Sequence, residues 1–205
     1  MNIAGMSNEG GGGPAVARDG AAIWFTGLPG AGKSTLAKGV LEALRERHVD
    51  AVWHQMDFLR KTYFPNPTYS IEERREAYRL FVGEAAELAR FGRVVLMDGS
   101  GPEVAMRRLA RSLIPRFAEV HLKCPVAMAM AREAKRPEGL IMAGLYAKAM
   151  KRKATGQQFP GLGQVIGVDV PFETDPLAEL VLDVGKTSVE DMREQVLSRF
   201  EAWFA

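Results

Sequence analysis

The 205-residue chain is short of several things, and each shortage excludes a class of protein. Cysteine occurs once, at Cys124, so no internal disulfide can form. The thiol follows a strand-like run and is expected to be buried, and a reducing, cytoplasmic setting fits a chain without disulfides. Net charge is only +2, from 27 Lys and Arg against 25 Asp and Glu. Neither nucleic acid nor a membrane surface is therefore favoured as a partner. No apolar run approaches the roughly 20 residues of a membrane span. No basic stretch followed by an apolar one opens the chain as a signal peptide would. Apolar residues are also scarce at the start: residues 1–20 hold a glycine run, Gly10 to Gly13, followed by Pro14, and read as a flexible tail. Residues 21–205 have the length of one domain with a full core.

What is present begins at Gly27. Residues 27–35 read Gly-Leu-Pro-Gly-Ala-Gly-Lys-Ser-Thr, a match to G-x-x-x-x-G-K-[ST], the phosphate-binding P-loop. An apolar run, residues 21–26, precedes it, and a helix-period pattern through Leu36, Val40 and Leu44 follows. Strand, loop and helix in that order are the context such a loop requires. Glycine lets the backbone curl so that successive N–H groups point at phosphate oxygens. The helix start adds its positive end. The loop residues Gly27, Pro29, Gly30, Ala31, Gly32, Lys33, Ser34 and Thr35 form the expected ATP site. Lys33 would reach the β- and γ-phosphates, Ser34 would offer a hydroxyl to Mg²⁺, and Thr35 would cap or support the helix.

Beyond the loop, strands alternate with helices. Strands are expected at 51–54, 93–97, 118–122 and 180–182. Helices are expected at 70–90, with Ser70 and Glu73 as a capping box, at 102–113, at 126–135 and at 188–204. This alternation predicts an α/β fold of the P-loop kinase kind, a three-layer sandwich with a central parallel sheet and helices on both faces. Ligands would bind at the carboxyl ends of the strands. Residues 136–164 break the rhythm with glycines among Arg136, Lys148, Lys151, Arg152 and Lys153, which suggests a mobile lid over phosphates, spanning residues 132–166, or a solvated loop.

A kinase also needs an acceptor pocket with a carboxylate and cations. Asp57 follows the second strand, where a carboxylate would face the P-loop. Arg60, Arg74, Arg75 and Arg79 surround the place where an anionic acceptor would lie. Asp98 closes the third strand, where it could hold Mg²⁺ through water or accept a hydrogen bond in the core.

At these residues the sequence resembles the adenylylsulfate kinases, over residues 22–204. Residues 27–35 are similar to that family's G-L-S-G-A-G-K-S-T, with Pro29 for serine. Asp57-Phe58-Leu59-Arg60 looks like D-N-V-R. Tyr69-Ser70 with Arg74 and Glu76 looks like F-S-x-x-x-R-x-E. Pro102 with Arg107 and Arg111 lies where the family has S-P-Y and following arginines. Glu119-Val120 through Pro125 is similar to E-V-x-x-x-x-P. Gly144-Leu145-Tyr146-Ala147-Lys148-Ala149 looks like G-L-Y-x-K-A, and residues 167–173 resemble G-I-D-x-x-Y-E.

The resemblance implies a soluble Mg-ATP-dependent kinase that phosphorylates the 3′-hydroxyl of adenosine 5′-phosphosulfate, and a homodimer. Carried over by position, Lys33, Asp57 and Arg132 would be catalytic. Asp57, Arg60, Tyr69, Arg74, Lys148 and Val168 would bind the acceptor, with Arg60 and Arg74 on its phosphosulfate group and Tyr69 against its adenine. Ser34 and Asp98 would serve the metal. The departures fall on the acceptor side: D-G-D-N becomes Gln55-Met56-Asp57-Phe58, E-N-x-R-R becomes Glu76-Ala77-Tyr78-Arg79-Leu80, and I-S-P-Y becomes residues 100–103. A different nucleotide or small alcohol as acceptor is therefore a second expectation, because pocket polar groups set specificity. A third is an ATP-binding switch without turnover. No aromatic-studded basic stretch supports a polynucleotide acceptor.

Overall fold

The computed structural model describes residues 20–135 and 144–204. The tail expected at 1–20 falls almost wholly outside these residues, as do Arg136, Gly139 and the rest of 136–143 in the expected lid.

The strands are β1 (Ala21–Thr26), β2 (Ala51–Gln55), β3 (Val94–Asp98), β4 (Phe117–Lys123) and β5 (Leu180–Asp183). They form one sheet in the order β2-β3-β1-β4-β5, every pair parallel. The middle strand, β1, is buried along its whole length, as its run of apolar residues requires when helices cover both faces. Alternate residues serve the two layers. Ile23 and Phe25 join a core with α1 (Lys33–Glu46) and α7 (Val189–Arg199). Ala22 and Trp24 join a second core with α3 (Ile71–Arg90) and α4 (Val104–Leu113). The register aligns the strand ends: Phe25 and Gln55 both pair with Asp98. The end of β1, which feeds the P-loop, therefore lies beside Asp98 and Gln55, and β3 and β4 leave from opposite sides of it, the place where α/β sheets bind ligands.

Several local expectations need correction. The Ser70 hydroxyl does accept from the Glu73 N–H at 3.2 Å, but the Glu73 carboxylate turns to Thr68 and Tyr69 rather than back to Ser70. Pro102 lies before α4, not in its first turn. Gly32 in a left-handed conformation precedes α1, and no side chain caps that helix, so Thr35 is not its cap. The closing helix stops at Arg199 and gives way to a 3₁₀ turn, Glu201–Trp203. Cys124 is half-buried, and its Sγ lies 3.6 Å from the Pro125 carbonyl oxygen. Two helices were not expected: α2 (Met56–Tyr63) and α6 (Leu145–Thr155). α6 runs through the stretch read as a loop. Its N-terminus follows Gly144, and the buried Glu133 carboxylate accepts the Leu145 N–H at 3.0 Å from the end of α5 (Val126–Glu133). A capping partner twelve residues away leaves no local signal.

The α4 face of β4 carries a buried polar group of residues. Glu119 and Arg107 pair at 3.0 Å with no exposure, and His121 stacks on Phe172 with ring centroids 4.9 Å apart. Burial, with Arg107 and Lys123 adding repulsion, pushes the His121 imidazole down to about 4. The unfolded chain takes up that proton near pH 6.5, whereas the folded chain takes it up only near pH 4, so stability is complete above 6.5 and lost as pH falls towards 4. The loss is about 2 kcal/mol once solvent screening is allowed for. We predict that His121→Phe removes this part of the acid destabilisation. In urea midpoints of both proteins, measured from pH 7.5 to 4, the parent should fall more steeply than the variant; parallel curves would contradict it.

Candidate active site

The P-loop, residues 27–32, joins β1 to α1, and its shape is dictated by close approach. Gly30 has φ +83°, and a Cβ there would fall 2.3 Å from the carbonyl oxygen of Ala129 on α5. Gly30 thus lets the loop lie against α5. The Tyr146 hydroxyl, from α6, donates to the Pro29 carbonyl at 2.9 Å. Lys33, buried in the first turn of α1, turns its ammonium back onto the carbonyls of Gly27 at 3.2 Å and Leu28 at 2.9 Å. Ser34 and Thr35 are exposed.

One pocket opens from this loop across the carboxyl edge of the sheet, with about 790 Å³ of space counting the part open to solvent. Lys33, Ser34 and Asp98 lie at one end, Arg60, Tyr69 and Arg74 at the other, with Asp57 between them on α2. Burial raises the Asp98 carboxyl above its usual range and Asp57 adds to this, while the Lys33 ammonium, the Ser34 hydroxyl and the Trp53 indole act against it.

The arginines separate sharply. Arg60 and Arg74 are both buried, at 5% and 4% exposure. Arg60 meets Glu73 at 3.4 Å and stacks its guanidinium over the Tyr69 ring at 5.2 Å. Arg74 donates from Nη2 to the Gln164 carbonyl, but its buried Nη1 has no protein partner. Burial, with Arg60 nearby, lowers its basicity. Arg75 and Arg79 do not join them: they are exposed and pair with Glu103 and Glu76. Tyr69 adopts φ 55° beside Gly163, where a Cβ would lie 2.2 Å from that of Tyr69, so the two segments fit only with glycine there.

Of the remaining expected residues, Lys148 is exposed on α6 and does not line this pocket, whereas Leu145 of the same helix does. Val168 packs with the Leu145 and Tyr146 cluster, and Ile166 lines the pocket in its stead. Arg132 lies on the other side of the P-loop: its Nη1 is 3.9 Å from where a Cβ on Gly32 would be. There it borders a second cleft with Gly30, Thr35, Leu36, Val189 and Met192. Val189 and Met192 belong to α7. Their place beside the loop follows from the packing of α7 on α1, which no local pattern reports. Gln55, Met56, Tyr78 and Ser100, which stand in the stretches where the sequence departs from the family's acceptor-side motifs, also line the main pocket, as does Gly99.

Gly30→Ala gives a direct check of the loop geometry. The added methyl forces the loop off α5 and imposes a strained left-handed alanine. Mg-ATP binding, by calorimetry, should weaken at least about tenfold, while the far-ultraviolet circular dichroism of the fold stays unchanged. Binding within twofold of the parent would contradict the geometry.

Among the described residues no helix is long and apolar enough to cross a membrane. The family model for adenylylsulphate kinase matches residues 19–183. An adenylyl-sulfate kinase of Shewanella amazonensis is 39% identical over 181 residues, covering 86% of this chain and 81% of its own length. A probable adenylyl-sulfate kinase of Archaeoglobus fulgidus is 32% identical, with 80% and 96% covered. The chain spans only 28% of the length of a probable bifunctional SAT/APS kinase of Sorangium cellulosum, to which it is 32% identical. The structure of the Mycobacterium tuberculosis APS kinase in complex with AMPPNP and APS superposes with a TM-score of 0.75 at 28% identity, covering 89% of this chain and 98% of that one. With its P-loop intact and the match spanning most of its length, the chain belongs to the adenylylsulphate kinase family.

Proposed function

We propose that this protein transfers the γ-phosphoryl group of Mg-ATP to the 3′-hydroxyl of adenosine 5′-phosphosulfate. One observation carries the reading: the P-loop lysine and two buried arginines face a single pocket with Asp57 between them. Phosphoryl transfer has a loose transition state, so positioning and charge neutralisation do most of the work. The P-loop N–H groups and Lys33 would hold the β- and γ-phosphates, the ammonium leaving the Gly27 and Leu28 carbonyls to do so. Arg132, across the loop, would steady the donor nucleotide. Asp57 would orient the acceptor hydroxyl and take its proton as the oxygen bonds to the γ-phosphorus and the bond to the β,γ-bridging oxygen of ATP breaks, releasing ADP. Arg60 and Arg74 would hold the acceptor's anion, and Tyr69 would flank its adenine. Lys148, in the proposed lid over 132–166, and Val168, just beyond it, would close the acceptor side against water.

The residues fit a magnesium ion. Among the described residues no group of three or more His, Cys, Asp or Glu could hold a metal alone. A P-loop metal needs none, because phosphate oxygens and waters supply most of its ligands. The exposed Ser34 hydroxyl would provide one ligand, and Asp98 would bind through water. The ion supplies neutralisation of charge on the β- and γ-oxygens. Cytoplasmic location and a homodimer belong to the same proposal; a monomer by light scattering would remove the second.

A different acceptor is favoured by one feature: Met56, buried, lines the pocket at the position where the family's D-G-D-N has glycine. The test is a coupled ADP-release assay with Mg-ATP, with and without adenosine 5′-phosphosulfate, with the product mass measured. Release that requires this acceptor, with a 3′-phosphorylated product, is expected. Asp57→Ala should lower kcat/KM for the acceptor at least about 100-fold with ATP affinity unchanged. ATP binding without acceptor-dependent release would overturn the reading and point to another hydroxyl compound.

A further inference from the structure

Tyr78 occupies the variable position of the family's E-N-x-R-R pattern, so nothing carried over from the family gives it a role. Its place in this structure does. Tyr78 follows Arg74 by four residues on α3, which puts both on one face of the helix. Its ring is fixed between Trp24 at 5.6 Å and Phe81 at 6.0 Å, and only 3% of the residue is exposed. The hydroxyl oxygen accepts the Gly101 N–H at 2.9 Å. That bond uses a lone pair and leaves the phenolic proton to be donated. No protein acceptor for that proton is found among the described residues. The hydroxyl lies against Gly99, where a Cβ would be 3.4 Å from it, and both Gly99 and Tyr78 line the main pocket.

The surroundings indicate what the proton would meet. Burial dominates at the phenol and keeps it protonated; Arg60 and Arg74 lie close enough to favour negative charge at its oxygen, with Asp57 acting against them. Arg74 Nη1 is buried without a partner. A buried guanidinium N–H left unpaired is costly, and such groups are normally satisfied when a ligand arrives. Two unpaired donors, one cationic and one neutral, thus border the same pocket beside a second cation.

We propose that the Tyr78 hydroxyl is a further acceptor-binding group, a neutral donor that joins Arg74 and Arg60 in holding an anionic oxygen of the acceptor. The inference rests on the reading of this pocket as the site of an anionic nucleotide acceptor. A fixed hydroxyl adds directional selection to two cations that would attract any anion.

Tyr78→Phe tests this, since it removes one oxygen and keeps the ring packing. The hydroxyl also supports the loop at Gly101, and that loop reaches the P-loop through the Gly27 N–H, which donates to the Ser100 carbonyl at 3.3 Å. A role confined to supporting the loop would therefore disturb ATP as well. The expected result is an acceptor KM raised about tenfold, with kcat within twofold of the parent and the KM for Mg-ATP raised far less than the acceptor's, because Arg107 still holds the Gly101 carbonyl. An unchanged acceptor KM, or equal rises in both KM values, would overturn the proposal. Absence of turnover by the parent enzyme would instead be a failure of the reaction proposed above. In that case inorganic sulfate, titrated calorimetrically into both proteins, still reads the residue: about tenfold weaker binding by Tyr78→Phe supports it, and equal binding overturns it.

Discussion

Arg107 and Glu119 meet at 3.0 Å between α4 and β4, and neither has any contact with solvent. Such a pair contributes little net stability, because desolvation of two charges offsets most of their attraction. Its value here is geometric. Thr26, at the end of β1, donates its hydroxyl to the Glu119 carboxylate at 2.6 Å. With its charge balanced on that side, Arg107 turns its two terminal nitrogens to the carbonyls of Gly101 and Glu173. The same guanidinium lies 5.0 Å over the Phe172 ring. One buried cation thus ties the loop after β3 to the segment that returns from Ile166 towards β5.

That loop, residues 99–102, is where the two halves of the site touch. The Trp24 indole N–H donates to the Gly99 carbonyl at 2.9 Å, the Gly27 N–H donates to Ser100, and Tyr78 receives the N–H of Gly101. The loop is therefore fastened to the P-loop on one side and to the acceptor pocket on the other. A shift of one would be felt by both. α6 supplies a second such link, from the Tyr146 hydroxyl to Pro29. For a reaction in which placement of donor and acceptor accounts for most of the rate, links of this kind matter more than any single contact energy.

The donor side was legible because its chemistry needs contiguous residues: a loop, a lysine and a hydroxyl in one short run after a strand. The sheet was legible for a similar reason, since apolar runs and their spacing mark parallel strands directly. Arg74 could not be told from Arg75 and Arg79 by composition, because only the angle at which α3 meets the sheet makes one of them buried and the others solvated. α6 was hidden in a glycine-rich and basic stretch, its N-terminus capped from α5. Lys148 and Arg132, transferred by position from a family pattern, lie away from the main pocket's lining, while Ile166 enters it through tertiary packing alone.

The loop held by Arg107 joins the two sides of the site, and Arg107→Lys tests this most directly. Lysine keeps a charge opposite Glu119, but a single ammonium cannot serve both the Gly101 and Glu173 carbonyls as a planar fork does. Affinities for Mg-ATP and for the acceptor should be measured on the folded variant, well below its melting temperature. Both should weaken together, each by about tenfold. A variant with a lowered melting temperature and two unchanged affinities would show that the pair holds the fold alone and does not align the site.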